Sequence, residues 1–394
     1  MWFNGLLDLS VMQLILVTLG MTHVTIVSVT LYLHRHSAHN SLDLHPALKH
    51  FFRFWLWLTT AQNTKEWTAI HRKHHAKCET EEDPHSPVVL GIRKVLFQGA
   101  ELYADSATAE TLERYGQRTP EDWVERNVYS RHRTLGITLM AIINLALFGV
   151  HGIWIWAVQM MWIPVWAAGV VNGIGHWMGY RNYECADNAR NISPLGLLIG
   201  GEELHNNHHT YPNSSKLSRR WFEVDIGWGY IRLFQLFGLA KPKGFRPIAH
   251  HVPGKIDVDV ETVQAIANNR FDIMRQYRKR VMEPVLRQQK ALMDDEIRPR
   301  YRKLKRLLSR EVTLIQPTEK ETLESVLARN PVLRQIYEKS HELQALWRQR
   351  GLKPQDKLNA LMEWCREAEA SGIRYLEEFA EHLRAYSLRP SAGV

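Results

Sequence analysis

Four short histidine clusters offer this chain its most distinctive chemistry. They are His34 and His39 in HRHSAH, His71, His74 and His75 in HRKHH, His176 in NGIGH, and His205, His208 and His209 in HNNHH. Imidazole nitrogen suits iron, zinc, copper and nickel. In an α-helical HxxHH segment the first and last histidines share a face and the penultimate one points about 100° away, so one segment can feed two metals. Asn172 and His176, four residues apart, also share a helical face. His34 and His39, five apart, do not, which predicts a helix end or turn between them. At the histidine frequency of this chain, HxxHH should arise by chance roughly 0.05 times, and it occurs twice. Nine candidate imidazoles exceed the needs of one tetrahedral zinc. Two metals with four or five nitrogens each and open positions fit better, a dioxygen-binding arrangement for which iron is the default.

The elements that must position these clusters follow from composition. The 394 residues contain 20 histidines and only 3 cysteines, which excludes a disulfide scaffold and a Cys-rich zinc or iron–sulfur protein. A mean hydropathy of -0.31 excludes a chain that is mostly membrane but allows a few spans on a polar body. Spans are expected at about 9–33, 134–150 and 153–172, the last rich in tryptophan. Residues 47–62, interrupted by Lys49 and Arg53, read as a half-inserted interfacial helix. No Lys or Arg precedes the first span and no small-residue cleavage site follows it, so a secretory signal is not expected. Positive loop charge places Arg35, Lys49, Lys65 and their neighbours in the cytoplasm. All four histidine clusters then fall on that one side of the membrane.

The fold class expected is all-α: integral membrane helices with a cytosolic histidine cap and a helical C-terminal extension. A boundary near 250 divides a membrane domain, 1–250, from a basic extension, 251–394. Residues 261–394 hold 26 Lys+Arg against 19 Asp+Glu and only two histidines. Within them 296–310 (EIRPRYRKLKRLLSR) is strongly basic, and Pro317, Pro331 and Pro354 mark helix starts. An acidic electron donor, anionic lipid or another subunit would suit this surface. No motif supports nucleic acid binding.

The segments HRHSAH, EWTAIHRKHHAKCETEEDPHSP, NGIGHWMGYRNYE and GGEELHNNHH, with the stretch from about 15 to 240 that holds them, resemble the integral-membrane fatty acid desaturases. The similarity is to the bacterial acyl-CoA (stearoyl-CoA type) Δ9 branch. The resemblance implies a centre of two iron ions held by His34, His39, His71, His74, His75, His176, His205, His208 and His209, with Asn172 acting through a water. It implies an acyl tunnel lined at its bend by Gln62 and Trp67. Asp83, Glu202 and Glu203 are candidates to hold ligand ring N–H groups. The implied reaction uses O2 to place a cis double bond in a saturated acyl chain carried by CoA or a membrane lipid, in a multi-pass protein of the bacterial cytoplasmic membrane with a cytoplasmic active site. No fused heme module is visible, so electrons are expected from a separate reductase or ferredoxin-type protein. Animal members carry Thr-Trp where this chain has Ala168 and Gly169, a departure in the tunnel wall. The alternatives are a phospholipid-linked desaturase, a di-iron alkane or lipid hydroxylase, and a membrane metal-binding or transport protein. Asn144 and Gln159 are too few polar groups in the spans to line a transport path.

Overall fold

The computed structural model describes residues 3–243, 250–290, 301–349 and 351–388. Residues 296–300 of the basic run lie outside these. The described chain is mostly helical. Its short strands form two-residue or three-residue pairings: Leu42–Leu44 runs antiparallel to Ala240–Pro242, Leu195–Gly196 parallel to Val224–Asp225, and His250–His251 antiparallel to Tyr386–Ser387. Two compact units form, Met1–Arg181 with Asp187–Phe245, and Asn182–Ala186 with Arg246–Val394.

In the first unit, the helix Val11–Ser28 starts at a capping box, with Ser10 and Gln13 bonding reciprocally. It continues without a break into a π-helical stretch, Val29–Ala38. The helix end expected between His34 and His39 falls at Ala38, with His39 as the C-cap. The wider turn lets the His39 N–H donate to the His34 carbonyl at 3.1 Å, so a five-residue step closes about one turn and both imidazoles face one way. A second apolar helix, His151–Ile163, also widens into π-helix, over Pro164–Ile174. The change begins at Pro164, which has no N–H for the ordinary ladder. These two continuous helices are long and apolar enough to cross a membrane. Arg133–Phe148 is apolar but rises only about 24 Å at 1.5 Å per residue.

The helix Pro46–Thr60 explains its own interrupting charge. Arg53 is buried and makes a two-pronged contact with Asp122, at 2.5 and 3.0 Å, and a further one with Glu125 at 2.8 Å. Arg35 is a second buried hub, 1% exposed. Its guanidinium donates to Asp225 at 2.8 Å, to the Gly200 carbonyl at 3.0 Å and to the Ser215 carbonyl at 2.9 Å. Asp225 in turn accepts from the Leu217 and Trp228 amides. Gly201, at φ +102°, and Gly227 leave room for this guanidinium, because a Cβ on either would stand 2.9 or 2.7 Å from its Nη2.

The second unit has its own apolar core, built around Ile273, Tyr277, Leu333, Ile336, Leu343, Trp364, Phe379 and Leu383. Pro317, Pro331 and Pro354 are each the first residue of a helix, Pro317–Arg329, Pro331–Arg348 and Pro354–Glu369. There the missing N–H would have had no helical partner.

Replacing Arg35 by Met should strand the buried Asp225 carboxylate and destabilise the first unit by about 3–5 kcal/mol. Arg35→Met with Asp225→Leu should recover part of that loss. Thermal unfolding of the three proteins in one detergent checks both statements.

Candidate metal centre

The helix Thr64–Lys77 carries the second histidine cluster and is fixed at its start by Asn63, whose side chain accepts from the Lys65 and Glu66 amides. His205–Thr210, a short helix, carries the fourth. The π-helical Val29–Ala38 stretch carries His34 and leads into His39. His176 follows directly on the second π-helical stretch, which ends at Ile174. Asn172 therefore sits in wide helix and His176 beyond it, so the four-residue α-helical spacing does not govern this pair.

These elements bring all nine imidazoles together. One nitrogen from each of His34, His39, His71 and His208 lies within 4.8 Å of the others. His74, His176, His205 and His209 form a second such group. His75 joins His208, its Nε2 2.8 Å away, and also groups with His209. In both HxxHH segments the penultimate histidine enters the other group from the first: His74 separates from His71, and His208 from His205.

The nitrogens face one another. Nε2–Nε2 separations are 3.1 Å for His34–His208, 2.7 Å for His39–His71, 3.0 Å for His176–His205 and 3.4 Å for His74–His209. Imidazole binds a metal such as zinc at about 2.0–2.1 Å, so two nitrogens on adjacent coordination positions stand about 3 Å apart. Burial first, and then the neighbouring imidazoles, hold His39, His71, His75, His205, His208 and His209 well below the ordinary imidazole range. They are neutral donors at pH 7, the form that ligates a metal. The donor set thus fits two metal ions, held by nitrogen rather than sulfur.

Carboxylates hold the outer nitrogens. The Nδ1 of His34 lies 2.9 Å from Glu202, that of His74 2.9 Å from Asp83, that of His176 3.3 Å from Glu79, and that of His209 3.1 Å from Asp187. At His74, His176 and His209 the contact is a hydrogen bond, which fixes the tautomer and turns the other nitrogen inward. The carboxylates are themselves anchored: Asp83 by the Glu79 and His85 amides, Glu79 by Asn188, and Asp187 by the Ala189 amide. Sequence reasoning missed Glu79 and Asp187. The only signal for them was their place in the acidic segments CETEED and YECADN, where nothing separates them from neighbouring acids. Glu203 takes a different role. Its carboxylate accepts from the Leu198, Ile199 and Gly201 amides and shapes the loop before His205. His36 bonds the Leu42 carbonyl at 2.7 Å, and His85 stacks on His74 with ring centres 4.3 Å apart.

A cavity of about 510 Å³ opens onto the cluster through His34, His71 and His205. Asn172, Gln62 and Trp67 line it, and Trp67 stacks on His71 with centroids 4.9 Å apart. Beyond them the wall combines small apolar residues, Ala100, Ala104, Ala167, Ala168 and Val171, with Glu66, Tyr103 and Arg133. Gly169 is packed against neighbouring backbone, where a Cβ would stand 2.7 Å from the Leu96 carbonyl oxygen.

Comparison with known proteins matches residues 10–232 to the fatty acid desaturase family model. Residues 262–389, about a third of the chain, match a model described as a transposase. A probable chloroplastic lipid desaturase from Arabidopsis thaliana is 31% identical over 54% of this chain and 59% of its own length. A delta-9 acyl-lipid desaturase of the same plant is 27% identical over 54% of this chain and 68% of itself. An sn-1 stearoyl-lipid 9-desaturase from Anabaena variabilis is 29% identical over 54% of this chain and 76% of itself. The match to the first of these thus spans under two thirds of that protein. Since the desaturase model covers more than half of this chain, the protein belongs to the fatty acid desaturase family.

Proposed function

We propose that this chain is a membrane-embedded, O2-dependent fatty acyl desaturase that introduces a cis double bond at the Δ9 position. The observation that carries the reading is the opening of a partly apolar cavity onto nine inward-facing imidazoles. His34, His39, His71, His75 and His208 would hold one iron, and His74, His176, His205 and His209 the other, with Asn172 contributing through a water. When bound, the iron pair supplies the O2 binding and electron transfer needed to remove hydrogen from unactivated methylenes. In the overall balance, two adjacent methylenes lose two hydrogens. With O2, two electrons from a separate donor and two protons, the products are one double bond and two waters.

The residues of the chain supply geometry. Asp83, Glu79, Asp187 and Glu202 keep the ring nitrogens directed inward. The small apolar residues of the wall would accept methylenes, so position is selected by shape. Trp67 and Gln62 stand beside His71 at the point where the chain passes the metals. The two long helices and the apolar Arg133–Phe148 helix anchor the unit in the bilayer, with the histidine clusters at the cytoplasmic face of the bacterial inner membrane. Acyl-CoA is the carrier favoured by the flanking motifs. A membrane-lipid carrier is the second reading, favoured by relatives named as acyl-lipid and stearoyl-lipid desaturases.

Expression in a desaturase-deficient bacterial host should yield cis-9 monoenoic acids. Hydroxy acids in their place would move the assignment to a hydroxylase, and unchanged fatty acids would remove it. Assays of the purified protein with stearoyl-CoA and with distearoyl phospholipid, under one reducing system, separate the carriers.

Metal analysis should return about two iron atoms per chain. Asp83→Asn keeps the shape of the side chain but loses its charge on His74, and should lower iron retention or activity about 10–100-fold. Full activity in His74→Ala or His208→Ala would remove the two-metal reading. Ala168→Phe fills the cavity wall without touching a ligand. It should shift products toward shorter chains at unchanged iron content, as read by product chromatography.

A further inference from the structure

A second cavity in the first unit, of about 610 Å³, is lined by residues the proposed reaction does not use. Lys49, His50 and Arg53 reach it from one face of the helix Pro46–Thr60, and Arg72 and Arg118 from elsewhere. Asp122 is the one carboxylate in this lining, and Arg53 already occupies it through both of its oxygens. Arg72 is held by carbonyls alone, those of Ser37, Ala38, Tyr115 and Gln117. Among the described residues no carboxylate lies within ion-pair distance of Lys49, Arg72 or Arg118. Arg118 also has a left-handed backbone, φ +60°, which is uncommon and costly for a residue with a side chain.

Three cations without a counter-charge, converging on one concavity, create a positive potential that an anion would relieve. The same helix indicates which anion. Phe51 and Phe54 lie one residue on from His50 and Arg53, about 100° round the helix, and are 46% and 47% exposed. A cationic face beside an exposed aromatic face is the pattern of a helix lying at the lipid headgroup level. We propose that the cavity lined by Lys49, Arg72 and Arg118 binds the phosphate of an anionic phospholipid headgroup. The phosphate chemistry rests on the charges alone, and the lipid source rests on the membrane reading above. Because Arg72 ties the HRHSAH segment, through Ser37 and Ala38, to the 115–117 loop, occupancy would brace the elements that carry His39 and His71.

The test is thermal unfolding of the full chain in mixed micelles, a readout independent of turnover. Phosphatidylglycerol should raise the melting temperature by several degrees and phosphatidylcholine should not. Lys49→Gln with Arg118→Gln should bind phosphatidylglycerol roughly tenfold more weakly or worse, while melting near the wild-type temperature without lipid. Arg118→Gly relieves the left-handed residue. It should melt higher without lipid and gain less from phosphatidylglycerol. Inorganic pyrophosphate protecting as well as the lipid would overturn the lipid source. An acidic electron-carrier protein protecting where the lipid fails would overturn the proposal, as would an undiminished lipid effect in both variants.

Discussion

The structure of the first unit follows from one requirement: nine imidazoles must be brought together with one nitrogen of each directed inward. Protonated rings at these separations would repel strongly in a low-dielectric interior. Neutral rings have two tautomers, and only one leaves the inner nitrogen free. Four outer nitrogens therefore lie beside carboxylates, of which Asp83 and Asp187 are held by backbone amides, Glu79 by the amide and side chain of Asn188, and Glu202 by the Thr30 hydroxyl. The widened helices answer the same need. An ordinary α-helix cannot bring His34 and His39 to one face, whereas the π-helical stretch does. Arg35, inside that stretch, locks it to the loops around Gly200, Ser215 and Asp225.

The sequence showed those parts of the arrangement that depend on local periodicity. The offset of His74 from His71 and His75, and of His208 from His205 and His209, follows from helical geometry alone and reappears as the division into two groups. The apolar runs were equally legible, because a long apolar helix needs little information beyond composition. What escaped was whatever depends on distant chain returns or on departures from α-helix. Glu79 and Asp187 are brought to His176 and His209 by loops whose course no spacing encodes. Glu202 and Glu203 are adjacent and chemically alike, yet one turns to His34 and the other to three backbone amides. The π-helical widening left no mark in the sequence except Pro164 in the second case and nothing in the first.

The two compact units divide the chain's chemistry unevenly. The nine candidate ligand histidines and the carboxylates beside them belong to the first, which also holds nearly all of the desaturase-matched residues. The second closes its own core around Tyr277, Trp364 and Phe379, with helices begun by prolines and fixed by apolar spacing.

Under the proposed function, selectivity rests on the shape of a wall in which Ala100, Ala104, Ala167, Ala168 and Val171 stand with Glu66, Tyr103 and Arg133. A wall of small residues is defined by how closely the backbones behind it approach. At Gly169 that approach is already at its limit, since a single added carbon would meet the Leu96 carbonyl. A bulky aromatic ring at this position, as in the animal pattern, would require the Ile92–Phe97 segment to stand elsewhere. The paired change to Ala168 and Gly169 is therefore a change of wall rather than of two side chains. The shape of the cavity beside the histidines is set by the packing of helix against helix, with Trp67 stacked on His71.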